Sequence, residues 1–143
     1  VNMQIGFTST TFRNIKNINQ DQHVYIRNGK YIDYYLIHGT EGIPDKGFKV
    51  YFHLGANEDG YFRMRCYAQN EKAVVVTVEN GFKSELRIDD IMGMTREQLV
   101  DILAKLADNT DGYVKSIIFG KTNLDKLTDE DIAIATSKNY SLS

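Results

Sequence analysis

Met94-Thr95-Arg96-Glu97-Gln98-Leu99 opens the most legible stretch of this chain, and Val100-Asp101-Ile102-Leu103-Ala104-Lys105-Leu106 completes it. Thr95 with Gln98 is a capping box: the hydroxyl accepts from the backbone N–H of Gln98, and the Gln98 side chain reaches back to the cap. Met94 before the cap and Leu99 inside the helix are both apolar, which is the hydrophobic staple that sets the angle of chain entry. Leu99, Ile102, Leu103 and Leu106 recur at i, i+3, i+4 and i+7, leaving Glu97, Asp101, Lys105 and Asp108 for the water side. Asn109-Thr110-Asp111-Gly112 then supplies turn chemistry, so the pattern predicts an amphipathic helix over 95–109.

The same grammar returns in Leu127-Thr128-Asp129-Glu130-Asp131-Ile132. Thr128 is the cap, three acids oppose the positive helix end, and Leu127 with Ile132 is the staple. A short alternating run precedes each helix, Leu86-Arg87-Ile88-Asp89 before the first and Ile117-Ile118-Phe119 before the second, as expected of strands. Leu86 aligns with Ile117 and Thr95 with Thr128 at offsets of about 31 and about 33 residues, within the range of repeat architectures. Strands separated by a helix are joined by a crossover, so this part predicts parallel neighbours with helices on one face.

Upstream the period changes to two. Val24-Tyr25-Ile26, Tyr31 to Ile37, Phe48 to Leu54, Tyr61 to Tyr67 and Ala73 to Val78 are rich in aromatic and β-branched residues and read as strands. Asn28-Gly29, Gly39 to Gly42, Pro44 to Gly47, Asn57 to Gly60 and Asn70 to Lys72 divide them, and such short connections predict antiparallel hairpins. The run from Phe7 to Ile18 fits another strand and turn of the same stack. An opening of the (β/α)₈ kind at Met3 to Phe7 is rejected, because such barrels take about 250 residues and helices do not alternate here. The expectation is an α/β chain: one domain over 1–143, antiparallel and β-rich over 1–82, with two strand-loop-helix repeats of leucine-rich-repeat type over 83–143.

A resemblance rests on Met94-Thr95-Arg96-Glu97-Gln98-Leu99 through Ala107-Asp108, followed by Ile117-Ile118-Phe119-Gly120-Lys121-Thr122-Asn123-Leu124-Asp125-Lys126-Leu127-Thr128-Asp129-Glu130-Asp131-Ile132-Ala133-Ile134-Ala135-Thr136-Ser137-Lys138. These residues resemble the terminal repeat of bacterial surface and phage tail or baseplate proteins of the leucine-rich-repeat, BspA-like type. The resemblance implies adhesion or assembly, at a bacterial surface, in a secreted protein or on a phage particle. It assigns no functional residue, since the shared positions are caps and apolar core.

The chain has 143 residues, 42% of them hydrophobic and 25% charged, a globular composition for one ordinary domain. A net charge of -2 with Lys and Arg scattered among acids leaves no basic stripe, so nucleic acid is not an expected partner. No apolar run reaches the roughly 18 residues of a spanning helix, and the first residues lack a signal-peptide layout. Cys66 is the one cysteine and reads as a packed thiol. His23, His38 and His53 lack the spacing of metal motifs, and no nucleophile-elbow, P-loop or dinucleotide pattern occurs, so no catalytic residue, metal or cofactor is assigned. Asp89-Asp90 and Asp129-Glu130-Asp131 read as loop and helix-cap acids rather than as an acid-base pair.

Seven tyrosines crowd the middle region, and adjacent Tyr34 and Tyr35 point to opposite faces of any regular strand. Tyr31, Tyr34 and Tyr35 are therefore the candidate ligand-binding residues, suited to stack on sugar rings or to anchor a protein partner. The expected function is a non-catalytic recognition or scaffold module, whose partner is a protein or a bacterial surface glycan and which can assemble as a homo-oligomer. The alternative is a domain that processes cell-wall or capsular glycan, which requires two carboxylates converging in a cleft.

Overall fold

The computed structural model describes residues 2–7, 12–15, 21–26, 31–36, 48–53, 61–66 and 74–143, with side chains described over 49–53, 61–63 and 74–143. The elements in chain order are strands β1 (Asn2–Phe7), β2 (Phe12–Ile15), β3 (Asp21–Ile26), β4 (Tyr31–Leu36), β5 (Phe48–His53), β6 (Tyr61–Cys66), β7 (Val74–Val78) and β8 (Glu85–Arg87), then helix α1 (Arg96–Lys105). Strand β9 (Lys115–Ile118), helices α2 (Lys121–Leu124) and α3 (Asp129–Ser137) and strand β10 (Tyr140–Leu142) follow.

From β1 to β8 consecutive strands go to alternate sheets. The first sheet has the order β1-β3-β5-β7 and the second β10-β9-β8-β6-β4-β2. Every registered pair is parallel, so the chain winds as a coil that adds one strand to each sheet per turn. After β7 the coil continues with helices on the side of the first sheet: α1 packs on β7 and α3 on α1, while β9 and β10 extend the second sheet.

The core lies between the layers. Val50 and Phe52 of β5, Phe62 of β6, Val74, Val76 and Val78 of β7, Phe82 and Leu86 form one buried cluster with Leu99, Ile102 and Leu103 of α1, Ile117 and Phe119. Phe62 bridges the layers, with its ring 4.9 Å from that of Phe52 and 5.2 Å from that of Phe82. Such tilted pairs suit the ring quadrupole and add to the area they bury.

The expected antiparallel part and leucine-rich-repeat strand-helix units are overturned: the sheets are parallel, and among the described residues the helices are three and short. The dividing turns lie outside the described residues, but the pairing shows their effect. A turn signal says only that the chain changes direction, and the strands that these signals separate fall in different sheets rather than pairing with each other. Val74-Val75-Val76-Thr77-Val78 carried the contrary signal, since a near-continuous β-branched run is typical of a parallel strand covered on both faces. The register steps are also unequal, because Asn2 pairs with Asp21 whereas Asp21 pairs with Lys49, and among the described residues α2 intervenes only before the last strand.

Helix α1 ends at Lys105, short of the expected 109. Leu106 leaves helical geometry with ψ 136°, and its segment joins the preceding turn: Gly81 donates to the Lys105 carbonyl at 2.8 Å and Ala107 to the Phe82 carbonyl at 2.8 Å. Leu106 is still buried, as its apolar character requires, but through a β-bridge to Phe82.

Both caps are present. The Thr95 hydroxyl accepts from Gln98 N–H and the Gln98 side chain accepts from Thr95 N–H, and Thr128 with Asp131 repeats the arrangement. Helix α1 is clamped by its neighbours as well. Arg96 forms two hydrogen bonds to the Asp131 carboxylate at 2.7 and 2.8 Å, and the Lys138 ammonium donates to the Leu103 and Ala104 carbonyls at 3.0 and 3.2 Å.

Candidate ligand-binding groove

Alternation along β5 and β7 decides what the first sheet shows to the outside. Val50, Phe52, Val74, Val76 and Val78 point inward and are buried, so Lys49, Tyr51, His53, Val75 and Thr77 take the outward positions. Register sets Lys49 beside Val75 and Tyr51 beside Thr77. It also continues both rungs by backbone alone, through Asp21 and Asn2 in one and through His23 and Gln4 in the other.

Where α1 replaces the next strand, the outer surface steps. A helix with its side chains is about 10 Å across, whereas strands are spaced about 4.8 Å apart, so α1 overhangs the outward face of β7. Its residues Glu97, Gln98, Asp101 and Lys105 share one side, and with Lys49, Tyr51, Val75, Val76 and Thr77 they enclose a groove of about 250 Å³.

The floor is a closed polar triangle. Thr77, only 7% exposed, donates through Oγ1 to Asp101 Oδ2 at 3.1 Å and accepts from Lys105 Nζ at 3.2 Å. Lys105 Nζ lies 3.0 Å from the same Asp101 oxygen. Each contact restricts the rotamers of the other two, so a donor and an acceptor are held ready rather than left to swing in water. Gln98 is oriented by the helix cap: its Oε1 accepts from Thr95 N–H at 2.9 Å, which leaves the amide NH₂ as its donor. On the far side the Tyr51 ring stacks on His53, with centroids 6.3 Å apart and planes 20° from parallel, and His53 Nδ1 is 3.5 Å from Glu79 Oε2. The groove thus combines one aromatic wall with a fixed set of hydrogen-bonding groups, the usual composition of a small-molecule site.

Tyr31, Tyr34 and Tyr35 stand elsewhere. They belong to β4 of the second sheet, where register sets Tyr31 beside Tyr61, Tyr34 beside Met64 and Tyr35 beside Arg65, and their side chains lie outside the described residues. Cys66, paired in register with Leu36, also lies outside the described side chains. Of the acids weighed above, Asp89 holds Arg87 through two hydrogen bonds at 3.0 and 3.2 Å, and Asp131 holds Arg96.

Sequence reasoning placed Tyr51 among the middle tyrosines and assigned Glu97, Asp101 and Lys105 to the water side of α1, without joining them. Their i, i+4, i+8 spacing was the available signal for a polar stripe. That Thr77 lies beneath it follows only from the stacking of α1 on β7.

No family model, curated protein or solved structure matches this chain. Among the described residues no group of three or more His, Cys, Asp and Glu is placed to hold a metal ion, and no helix is long and apolar enough to cross a membrane.

Proposed function

We propose that this chain is a non-catalytic recognition module that binds carbohydrate in the groove between the first sheet and α1, and so serves adhesion to a glycan-coated surface. The observation that carries the reading is Tyr51 set against the Thr77, Asp101 and Lys105 triangle. A tyrosine ring offers an amphipathic platform to the C–H face of a sugar, and fixed donors and acceptors suit its hydroxyls. The groove sits on a parallel sheet and a doubly clamped helix, so little order is lost on binding.

Glu97 and Asp101 stand one helical turn apart in the same groove, which favours a second reading as a glycan-processing enzyme. Against it, Asp101 is engaged by both Lys105 and Thr77, a setting suited to a fixed acceptor rather than a proton donor.

The test is binding of the purified chain to a glycan array and to intact bacterial cells, beside Tyr51→Ala and the second-sheet variant Tyr35→Ala. Saturable binding that is lost in Tyr51→Ala and kept in Tyr35→Ala is expected. Loss only in Tyr35→Ala moves the site to the second sheet, and release of new reducing ends from a bound glycan overturns the non-catalytic reading.

A further inference from the structure

We infer that the groove reads two hydroxyl groups on neighbouring carbons of a pyranose ring, with Asp101 and Lys105 as the reading pair and Thr77 as the residue that positions them. This rests on the carbohydrate reading above and specifies what part of the sugar is recognised.

Thr77 and Lys105 both engage Asp101 through Oδ2, so Oδ1 keeps its acceptor capacity on a side chain that is 48% exposed. The Lys105 ammonium has three donors, of which Thr77 and Asp101 take two. The groove therefore holds one charged acceptor and one charged donor on groups only 3.0 Å apart. Two hydroxyls on adjacent ring carbons lie close enough together to meet an acceptor and a donor carried on touching groups. One donates to Asp101 Oδ1, its neighbour accepts from Lys105 Nζ, and each hydroxyl keeps a further site for the Gln98 NH₂ or for water.

A lone hydroxyl or a peptide carbonyl uses only half of the hydrogen-bonding capacity that the pair has left, and displaces water from the other half without replacing its hydrogen bond. That penalty gives the pair its selectivity for the diol. Tyr51, beside Thr77 in register, presents its ring next to the pair, where the apolar face of the same sugar falls. Thr77 is 7% exposed and acts through the other two: its hydroxyl joins their charges into one geometry.

Saturation-transfer NMR on the whole chain, with affinities from the titrations, tests this with the methyl glycosides of glucose, galactose and mannose and their monodeoxy counterparts. At least one parent sugar is expected to bind. Removing either hydroxyl of one adjacent pair is expected to weaken it about tenfold or more, while a deoxy position elsewhere changes little. Asp101→Asn and Lys105→Met are expected to bring the parent sugar down to the deoxy level.

Thr77→Val keeps the shape and removes the shared hydroxyl, so the parent-to-deoxy ratio is expected to shrink even where the unfolding temperature is kept. A merely structural role does not move that ratio. Equal binding of parent and deoxy sugars, still abolished by Tyr51→Ala, overturns the diol inference and leaves carbohydrate recognition standing. No transfer to any sugar, from a chain whose amide spectrum is dispersed and whose array and cell binding are also absent, overturns both. The deoxy series uses the unaltered protein, so its result stands even if a variant fails to fold.

Discussion

Gly120 has φ +86°, and a Cβ added there would come within 2.9 Å of the Asp89 Cβ and 3.2 Å of the Asp89 Cα. Conformation and space both demand glycine, and the backbone of Asp89 has nowhere to withdraw because Ile88 N–H is tied to the Ile118 carbonyl at 2.9 Å. Gly120→Ala is expected to destabilise the fold by about 2 kcal/mol or more, read by denaturant unfolding. Asp131 is a second such residue. The Arg96 guanidinium, then the backbone N–H of Thr128, lower its carboxyl from the ordinary 3.8 to about 2. A depressed folded pKa stabilises above the unfolded value, so this contribution is complete above about pH 4 and is lost as pH falls through about 2. The stability difference between the protein and Arg96→Gln is therefore expected to shrink over that window, and a difference that stays constant contradicts the assignment. The cap role of Asp131 was legible in Leu127-Thr128-Asp129-Glu130-Asp131; its pairing with Arg96 was not, because α1 and α3 meet only once the coil has turned.

At the scale of elements, α1 carries the groove, so its ends govern the site. Thr95 has two tasks, starting the helix and fixing Gln98 through the reciprocal cap. Thr95→Ala is expected to cost about 1 kcal/mol of stability and also to weaken ligand binding, through a Gln98 amide no longer held. Thr128→Ala removes the matching cap of α3 at a similar cost but leaves the groove residues untouched, so its binding is expected to stay near that of the parent. Comparing the two by thermal unfolding and by titration separates cap energy from site geometry. Both helices and their starting residues could be read from local chemistry, since a cap involves neighbours three positions apart. The end of α1 could not, because its stop at Lys105 is made by Gly81 and Phe82 of the previous turn.

For the whole molecule, the decisive fact is that the strands from β1 to β8 alternate between two parallel sheets. Phe62 stands between the layers in contact with Phe52 and Phe82 and is fully buried, so Phe62→Ala is expected to cost about 3–5 kcal/mol and to loosen both sheets together. The strand positions themselves were legible in period-two runs such as Tyr61-Phe62-Arg63. Their partners were not, since Tyr51 meets Thr77 across a gap that no local pattern encodes. The same gap hid the groove, whose two walls come from β5 and α1.

Whether this groove is the ligand site is read from backbone amide NMR during titration with a bound methyl glycoside. Shifts are expected to concentrate in residues 75–77 and 97–105, with residues 61–63 and 85–87 of the second sheet unmoved. Shifts confined to the second sheet, or to the exposed Tyr113 and Val114, would contradict it.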